Sequence, residues 1–115
     1  MNLRIGIDIG STTVKVVVLD EQNNLLFRSY ERHFSKVREK TCEILERIKD
    51  KLLGHQVRMV ITGSAGLGVS KASGIDFVQE VYATAAAVDT FIPGTDAVIE
   101  LGGEDAKIIF FGGAL

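Results

Sequence analysis

Residues 5–18 of this chain read IGIDIGSTTVKVVV: an apolar segment ends in Asp8, and a loop that begins at Gly10 leads into a second, β-branched segment. Two strands joined by a short Gly/Ser/Thr loop predict a hairpin. The loop lacks Asn-Gly and Asp-Gly, the usual two-residue connections. It offers instead backbone N–H groups and hydroxyls, which is the chemistry of a phosphate cradle. A carboxylate at Asp8 could hold a hydrated Mg²⁺, which takes few protein ligands. Considered alone, this segment is explained equally well by a hairpin with a polar tip and a solvated Asp8.

Residues 97–111, AVIELGGEDAKIIFF, repeat the same pattern near the end of the chain. An apolar segment again ends in an acid, Glu100, and glycine again follows two positions later. Lys107 follows Glu100 by seven residues, as Lys15 follows Asp8. Such a recurrence indicates an internal repeat of one supersecondary unit. Two such units that face each other would make a two-sided clamp for phosphate and metal.

Both segments resemble phosphate loops of the superfamily of sugar kinases, actin and heat-shock-chaperone ATPases. Residues 8–13, DIGSTT, look like its first phosphate loop, and residues 100–107, ELGGEDAK, look like its second. The sequences of the two segments are most similar to those of the ATPase activators of 2-hydroxyacyl-CoA dehydratases and the related benzoyl-CoA reductase subunits. The resemblance covers the whole chain, because a Thr-Gly turn at residues 62–63 and a helix bearing Glu80 also fall where that family has them.

The resemblance implies an α/β fold, the ribonuclease-H-like lobe of the actin-like ATPase fold, with a mixed five-stranded sheet and helices packed on it. It also implies ATP and Mg²⁺ as ligands. The implied site residues are Asp8, Glu80 and Glu100 for catalysis, Gly10, Ser11, Thr12, Thr13, Lys15, Gly102, Gly103 and Glu104 for nucleotide binding, and Asp8 and Asp105 for the metal.

In the activators that the chain resembles, ATP hydrolysis drives electron transfer to a dehydratase. We expect residues 1–115 to be a single N-terminal lobe of a longer protein, whose second lobe contributes the adenosine contacts. The expected partners are a nucleotide, that second lobe and, in the full-length protein, a second copy and a dehydratase component. The alternatives are a sugar or acyl kinase, a two-metal nuclease of the ribonuclease H fold, and a non-catalytic scaffold domain.

The activators hold a [4Fe–4S] cluster with cysteines, one of them on the helix after the family glutamate. Residues 81–85, VYATA, contain no cysteine at that place, and the chain has a single cysteine, Cys42. Cluster ligation needs thiolates. A cluster is therefore possible in the full-length protein, but this chain offers no ligand cysteine, and we interpret Cys42 as a buried small hydrophobe.

The composition excludes several other classes of function. The chain has 115 residues, a formal net charge of −2 and 46% hydrophobic content, which suits a compact domain. A charge near neutral with no basic stripe disfavours nucleic acid and anionic membranes as partners. No stretch approaches the roughly 20 apolar residues of a membrane span. The single cysteine fits a reducing, cytoplasmic compartment.

Apolar runs predict strands over residues 3–9, 14–19, 25–32 and 57–61. Helical spacing of apolar residues predicts a helix over residues 36–53, and two further helices are expected over residues 66–74 and 79–91. The first strand is expected at the centre of the sheet, apolar on both faces, and the third at its edge. The sequence predicts Ser35 as the N-cap of the first helix and Gly54 as its C′ glycine. We expect His33 and His55 to lie on the surface. Glu80 opens the last helix, where a favourable charge in the first turn is an alternative to a catalytic role.

Overall fold

The computed structural model describes residues 1–102 and 105–111. The chain divides into two compact units, Met1–Phe77 and Val78–Leu115. The elements in chain order are β1 (Asn2–Ile9), β2 (Thr13–Leu19), β3 (Leu25–Arg32), α1 (Val37–Leu52), β4 (Gln56–Thr62), α2 (Gly66–Ser73), β5 (Asp76–Phe77), α3 (Glu80–Phe91), β6 (Ala97–Gly102) and β7 (Asp105–Phe110). No helix within the described part of the chain has the length and apolar character needed to cross a membrane.

The first unit is built on a five-stranded sheet in the order β3-β2-β1-β4-β5. β1 pairs antiparallel with β2 and parallel with β4, and α1 makes the crossover between β3 and β4. The sheet is therefore mixed, as predicted, with β1 at its centre and β3 at one edge. In the second unit β6 and β7 form a separate two-stranded antiparallel sheet after α3.

One face of the sheet carries the core of the first unit. Side chains alternate along β1, so that every second residue is buried and the residues between them are half-buried or exposed. The prediction that β1 is apolar on both faces is therefore wrong, although its central position is confirmed. Asp8 lies on the face opposite Ile7 and Ile9. The buried apolar residues are Leu3, Ile5, Ile7, Ile9, Val14, Val16, Val18, Ile44, Ile48 and Ile61.

The ends of α1 agree only in part with the sequence prediction. Gly54 has φ of +80° just after the last turn, which confirms the C′ glycine. Ser35 is not the N-cap: that position is taken by Lys36, and no side chain caps the helix there. Cys42 is exposed, so its prediction as a buried residue is wrong. Its neighbour Thr41 faces the core instead, and the Thr41 hydroxyl donates to the Val37 carbonyl at 2.8 Å.

The turn after β4 passes very close to the end of β1. Gly63 has φ of +102°, and a Cβ atom there would lie 2.2 Å from the Ile9 carbonyl oxygen. The Ala65 N–H donates to that same carbonyl at 2.9 Å. Glycine is thus required at position 63 both by its backbone conformation and by the approach of another backbone.

Across the first unit, Glu31 ties the edge strand β3 to α1. The Arg47 guanidinium donates to the Glu31 carboxylate, with Nη2 to Oε1 at 2.7 Å, and Lys40 Nζ lies 3.6 Å from the same carboxylate. The Arg47 hydrogen bonds, followed by that from the Ser29 hydroxyl, lower the pKa of Glu31 to about 2. This arrangement makes the free energy of unfolding depend on pH.

We predict that Gly63→Ala lowers the free energy of unfolding by about 3 kcal/mol or more, because the new Cβ collides with backbone that cannot move aside. Gly54→Ala is the matched control: its φ is also positive, at +80°, but a Cβ there meets nothing within 4 Å. That control should lose only about 1 kcal/mol. Denaturant midpoints of the two variants decide the matter. Equal losses would show that backbone conformation alone, without the close approach, sets the cost.

We also predict that Glu31→Gln destabilises the protein at neutral pH and that the effect fades in acid. A carboxylate whose folded pKa is depressed adds stability above its unfolded value, 4.5 here, and that stability is lost as the pH falls toward about 2. The measurement is the denaturant midpoint at pH 7 and at pH 3. Glu46→Gln, which removes an exposed i,i+3 partner of Lys49, is the control and should change little at either pH. A Glu31→Gln effect of the same size at both pH values would contradict the prediction.

Candidate functional site

The loop between β1 and β2 lies at the carboxyl end of the central strand. The Gly10 N–H donates to the Thr13 carbonyl at 2.9 Å, which closes a hairpin whose tip is Ser11 and Thr12. Both tip residues are exposed. The structure therefore brings together the four residues 10–13 that the sequence proposes for a phosphate loop.

Asp8 and Lys15 stand opposite each other on β1 and β2. Lys15 Nζ lies 3.6 Å from Asp8 Oδ2, and the two side chains are 40% and 36% exposed. The Lys15 ammonium also lies 5.2 Å from the centroid of the Tyr30 ring. An acid and a cation that remain accessible thus lie beside the loop, where a charged ligand can reach both.

β4 adds Thr62 to this edge, because Asp8 pairs with Thr62 in the parallel ladder. The Thr62 Oγ1 atom is buried, and it finds no hydrogen-bond partner among the described residues. Leaving such a hydroxyl unsatisfied costs about 1–3 kcal/mol. The Asp8 carboxylate also lies close to Gly63, the residue after Thr62, since a Cβ on Gly63 would lie 2.6 Å from Asp8 Oδ1. Thr62 was predicted only as part of a turn, and the structure adds it to the candidate site.

His33 is a second residue that the structure adds to the candidate site. It was predicted on the surface, but it is 5% exposed, and its Nε2 lies 2.9 Å from the Gly10 carbonyl. The Ser35 N–H donates to His33 Nδ1 at 3.0 Å, and the His33 N–H donates to the Thr12 carbonyl at 3.0 Å. His33 lies 23 residues after Gly10, and only the β2–β3 ladder brings them together. His55 is exposed, as predicted.

The second hairpin repeats the backbone register of the first. Glu100 pairs with Lys107 across β6 and β7, as Asp8 pairs with Lys15 across β1 and β2. The internal repeat seen in the sequence is thus present as two hairpins of the same register, one in each unit.

Within the second unit, Lys107 contacts the candidate acid Glu80 and lies opposite the candidate acid Glu100 in the strand ladder. Lys107 Nζ lies 2.5 Å from the carboxylate of Glu80, the first residue of α3. Glu100 accepts a hydrogen bond from the Thr84 hydroxyl at 3.4 Å. These two contacts join α3 to the hairpin of β6 and β7, so Glu80 and Glu100 lie in one packed part of the second unit. A shared role for the two acids requires this.

The tip of the second hairpin is only partly described. Gly103 and Glu104 lie outside the described residues, and the placement of the Asp105 side chain is likewise outside them. The proposed roles of Gly102, Gly103, Glu104 and Asp105 therefore stay predictions. Within residues 1–102 and 105–111, no three His, Cys, Asp or Glu side chains come close enough together to hold a metal ion by themselves.

Two solved structures of dehydratase proteins share this fold. Component A of (R)-2-hydroxyglutaryl-CoA dehydratase from Acidaminococcus fermentans matches with a TM-score of 0.76 and 22% identity, over 96% of this chain and 43% of that one. The activator of 2-hydroxyisocaproyl-CoA dehydratase from Clostridium difficile, solved with bound ADPNP, matches with a TM-score of 0.74 and 25% identity, over 94% and 40%. A Ppx/GppA phosphatase from Aquifex aeolicus shares the fold more distantly, with a TM-score of 0.57 and 17% identity over 96% of this chain and 48% of that one. The actin-like ATPase fold predicted from the two loops is confirmed.

In sequence, the chain is 26% identical over 106 residues to an uncharacterised protein of Methanocaldococcus jannaschii, which covers 91% of this chain and 42% of that protein. The chain thus spans about two fifths of the length of this relative and of the two dehydratase proteins. The model of the BadF/BadG/BcrA/BcrD ATPase family matches residues 5–114. Because that match covers nearly the whole sequence, this chain belongs to the BadF/BadG/BcrA/BcrD ATPase family.

Proposed function

We propose that this chain is the N-terminal, phosphate-binding lobe of an ATPase and that residues 10–13 bind the phosphates of Mg-ATP. The observation that carries the proposal is the placement of this loop. It lies at the carboxyl end of the central strand of an ATPase-family fold, beside an accessible acid and an accessible cation. In open α/β sheets, ligands bind at that edge.

Gly10 supports a ligand at the loop, because neither its backbone conformation nor its contacts with the described residues require a glycine there. A Cβ at position 10 would come no closer than 3.8 Å to its surroundings, and Gly10 is not among the residues with positive φ. One remaining use of glycine is to let a ligand approach the backbone closely. Backbone N–H groups and the Ser11 and Thr12 hydroxyls would then face the phosphates.

The residues of this edge fit a magnesium ion that is held mainly by phosphate and water. Mg²⁺ commonly uses one or two carboxylates and keeps several waters, so the accessible carboxylate of Asp8 can serve as a protein anchor for it. The buried Thr62 hydroxyl next to Asp8, which has no hydrogen-bond partner within the described part of the chain, supplies a further polar atom for an ordered water. When bound, Mg²⁺ neutralises charge on the phosphates, and Lys15 adds a second positive charge.

The second hairpin would complete the site with Gly102, Gly103 and Glu104 on the phosphates and Asp105 near the metal. Glu80 and Glu100 are proposed to orient the attacking water. Lys107 holds the Glu80 carboxylate at 2.5 Å and so fixes its position. Phosphoryl transfer depends chiefly on positioning and charge stabilisation, which two loops, a metal and a water-orienting acid provide. That both hairpins meet around one nucleotide is part of the proposal.

For the longer protein we propose the role of a cytoplasmic dehydratase activator, in which ATP hydrolysis drives electron transfer to a dehydratase component. The support is the family and the likeness to the two dehydratase proteins. A second lobe would supply the adenosine contacts, and a second copy would complete the assembly. Any [4Fe–4S] cluster would take its cysteines from outside this chain, whose single cysteine lies on the exposed side of α1.

We predict that Asp8→Asn in the complete protein lowers Mg-ATP turnover on the order of 100-fold, because the metal loses its protein anchor. The melting temperature should change little, since the Asp8–Lys15 pair is exposed and contributes weakly. Asp50→Asn removes an exposed carboxylate from α1 and is the matched control, with no effect on turnover. Unchanged turnover in Asp8→Asn would remove Asp8 from the site. Phosphate transfer to a sugar or to a carboxylic acid would identify the complete protein as a kinase instead.

We further predict that this chain alone binds nucleoside triphosphates weakly, with dependence on Mg²⁺, indifference to the base and no appreciable hydrolysis. The phosphate contacts lie in the two hairpins, whereas the proposal places the adenosine contacts in the second lobe. NMR titration with ATP, GTP and inorganic triphosphate should shift residues 8–13 and 100–105 alike, and adenosine should shift neither. Tight, ATP-selective binding would reveal an adenine site in this chain, and shifts elsewhere would make both loops structural hairpins.

A further inference from the structure

We infer that His33 is a positioning residue for the loop of residues 10–13: it turns the Gly10–Ser11 peptide so that the Ser11 N–H faces the phosphate. The role in binding rests on the proposed function, whereas the geometry of the loop does not. His33 belongs to the β3–α1 connection and would not itself contact the ligand.

The hydrogen bonds of the His33 ring define its tautomer. Nδ1 accepts from the Ser35 N–H at 3.0 Å, so it carries no proton. The proton of the neutral ring is then on Nε2, which donates to the Gly10 carbonyl at 2.9 Å. A second bond, from the His33 N–H to the Thr12 carbonyl at 3.0 Å, holds the other side of the hairpin tip. One residue therefore fixes two carbonyls of the loop.

Fixing a carbonyl fixes the amide that shares its peptide plane. No described peptide bond is cis, and in a trans peptide the C=O and N–H groups point in opposite directions. With the Gly10 carbonyl turned toward His33, the Ser11 N–H must point away from the ring. The Thr12 carbonyl places the Thr13 N–H in the same way. A loop with preset N–H donors binds an anion without first reorganising its backbone.

The backbone after His33 is held in an unfavourable conformation that serves these contacts. Phe34 and Ser35 have φ of +51° and +63°, a region that non-glycine residues rarely adopt. Burial of Phe34 does not compensate, because its side chain is 70% exposed. The tight turn is closed by the Lys36 N–H donating to the His33 carbonyl at 2.8 Å, and it returns the Ser35 N–H onto His33 Nδ1. Ser35, one of the two strained residues, is thus the donor of the hydrogen bond that sets the tautomer of His33.

Two substitutions test separately the hydrogen bonds made by the two ring nitrogens, Nε2 and Nδ1. In His33→Gln the side-chain amide nitrogen falls near the place of Nε2 and can still donate to the Gly10 carbonyl. In His33→Asn the shorter side chain reaches only the place of Nδ1 and can still accept from Ser35. His55→Gln, at the exposed histidine, is the control for loss of an imidazole. Thermal unfolding of each variant reports any general loss of stability.

The first measurement uses no ligand: the ¹⁵N shifts of the His33 ring in the wild-type chain. We expect a neutral ring protonated at Nε2, and a scalar coupling from Nε2 across the hydrogen bond to the Gly10 carbonyl carbon. The second measurement titrates each variant with Mg²⁺ and inorganic triphosphate. His33→Asn should raise the dissociation constant about fivefold, the size of one lost hydrogen bond, and should abolish the Ser11 amide shift. His33→Gln and His55→Gln should stay within about twofold of wild type.

Each outcome decides one of the two proposals. A ring protonated at Nδ1, or no coupling to Gly10, overturns the positioning role, and this test needs no variant to fold. Equal affinities for His33→Asn and His33→Gln overturn it as well, because the Gly10 bond would then not matter. If wild-type chain shows the expected tautomer and coupling but binds no triphosphate, the proposed phosphate site fails while the loop geometry stands.

Discussion

The candidate site depends on the close approach of the β4–α2 turn to the end of β1. Gly63 lies against the Ile9 backbone with no room for a Cβ, and the Ala65 N–H bonds the Ile9 carbonyl. This contact prolongs the parallel ladder of β1 and β4 beyond its last pair, Asp8 with Thr62. The Ile9 side chain is fully buried in the core, and its carbonyl is bonded by the β4–α2 turn. The point at which the chain leaves the sheet and enters the loop is therefore fixed by both contacts. Any side chain at position 63 would displace the strand end that carries Asp8.

The loop that follows is thus held at three places by separate parts of the first unit. The β4–α2 turn holds Ile9, the ladder bond to Thr13 holds Gly10, and His33 holds the Gly10 and Thr12 carbonyls. The side chains at the tip nevertheless remain exposed. Rigid backbone with accessible donors is the arrangement that binds anions at little cost in ordering. These hydrogen bonds hold the backbone of a short hairpin tip that lacks Asn-Gly.

The sequence predicted what depends on local pattern and missed what depends on distant pairing. The apolar segments and the repeat located the strands of both hairpins. The seven-residue spacing from Asp8 to Lys15 was noted in the sequence, and the structure shows that it places the two opposite each other across a two-residue tip. His33 could not be found in this way, because only the pairing of β2 with β3 carries it to Gly10. Cys42 was misplaced by a single position on α1, where a shift of about 100° exchanges the buried and exposed faces. Ser35 failed as a cap because its backbone is committed to the turn beside His33.

Charge compensation by lysine is common to both hairpins and bears on how a ligand would enter. Lys15 lies 3.6 Å from Asp8, and Lys107, opposite Glu100 in its ladder, lies 2.5 Å from Glu80. Each unit therefore holds a carboxylate already neutralised by an ammonium group. In the proposed function, Mg²⁺ pairs with Asp8 while phosphate pairs with Lys15, so binding exchanges the ionic partners of both side chains. Because the Asp8–Lys15 pair is accessible and weak, this exchange costs little, whereas the tighter, less exposed Glu80–Lys107 pair is suited to remain intact and keep Glu80 in place.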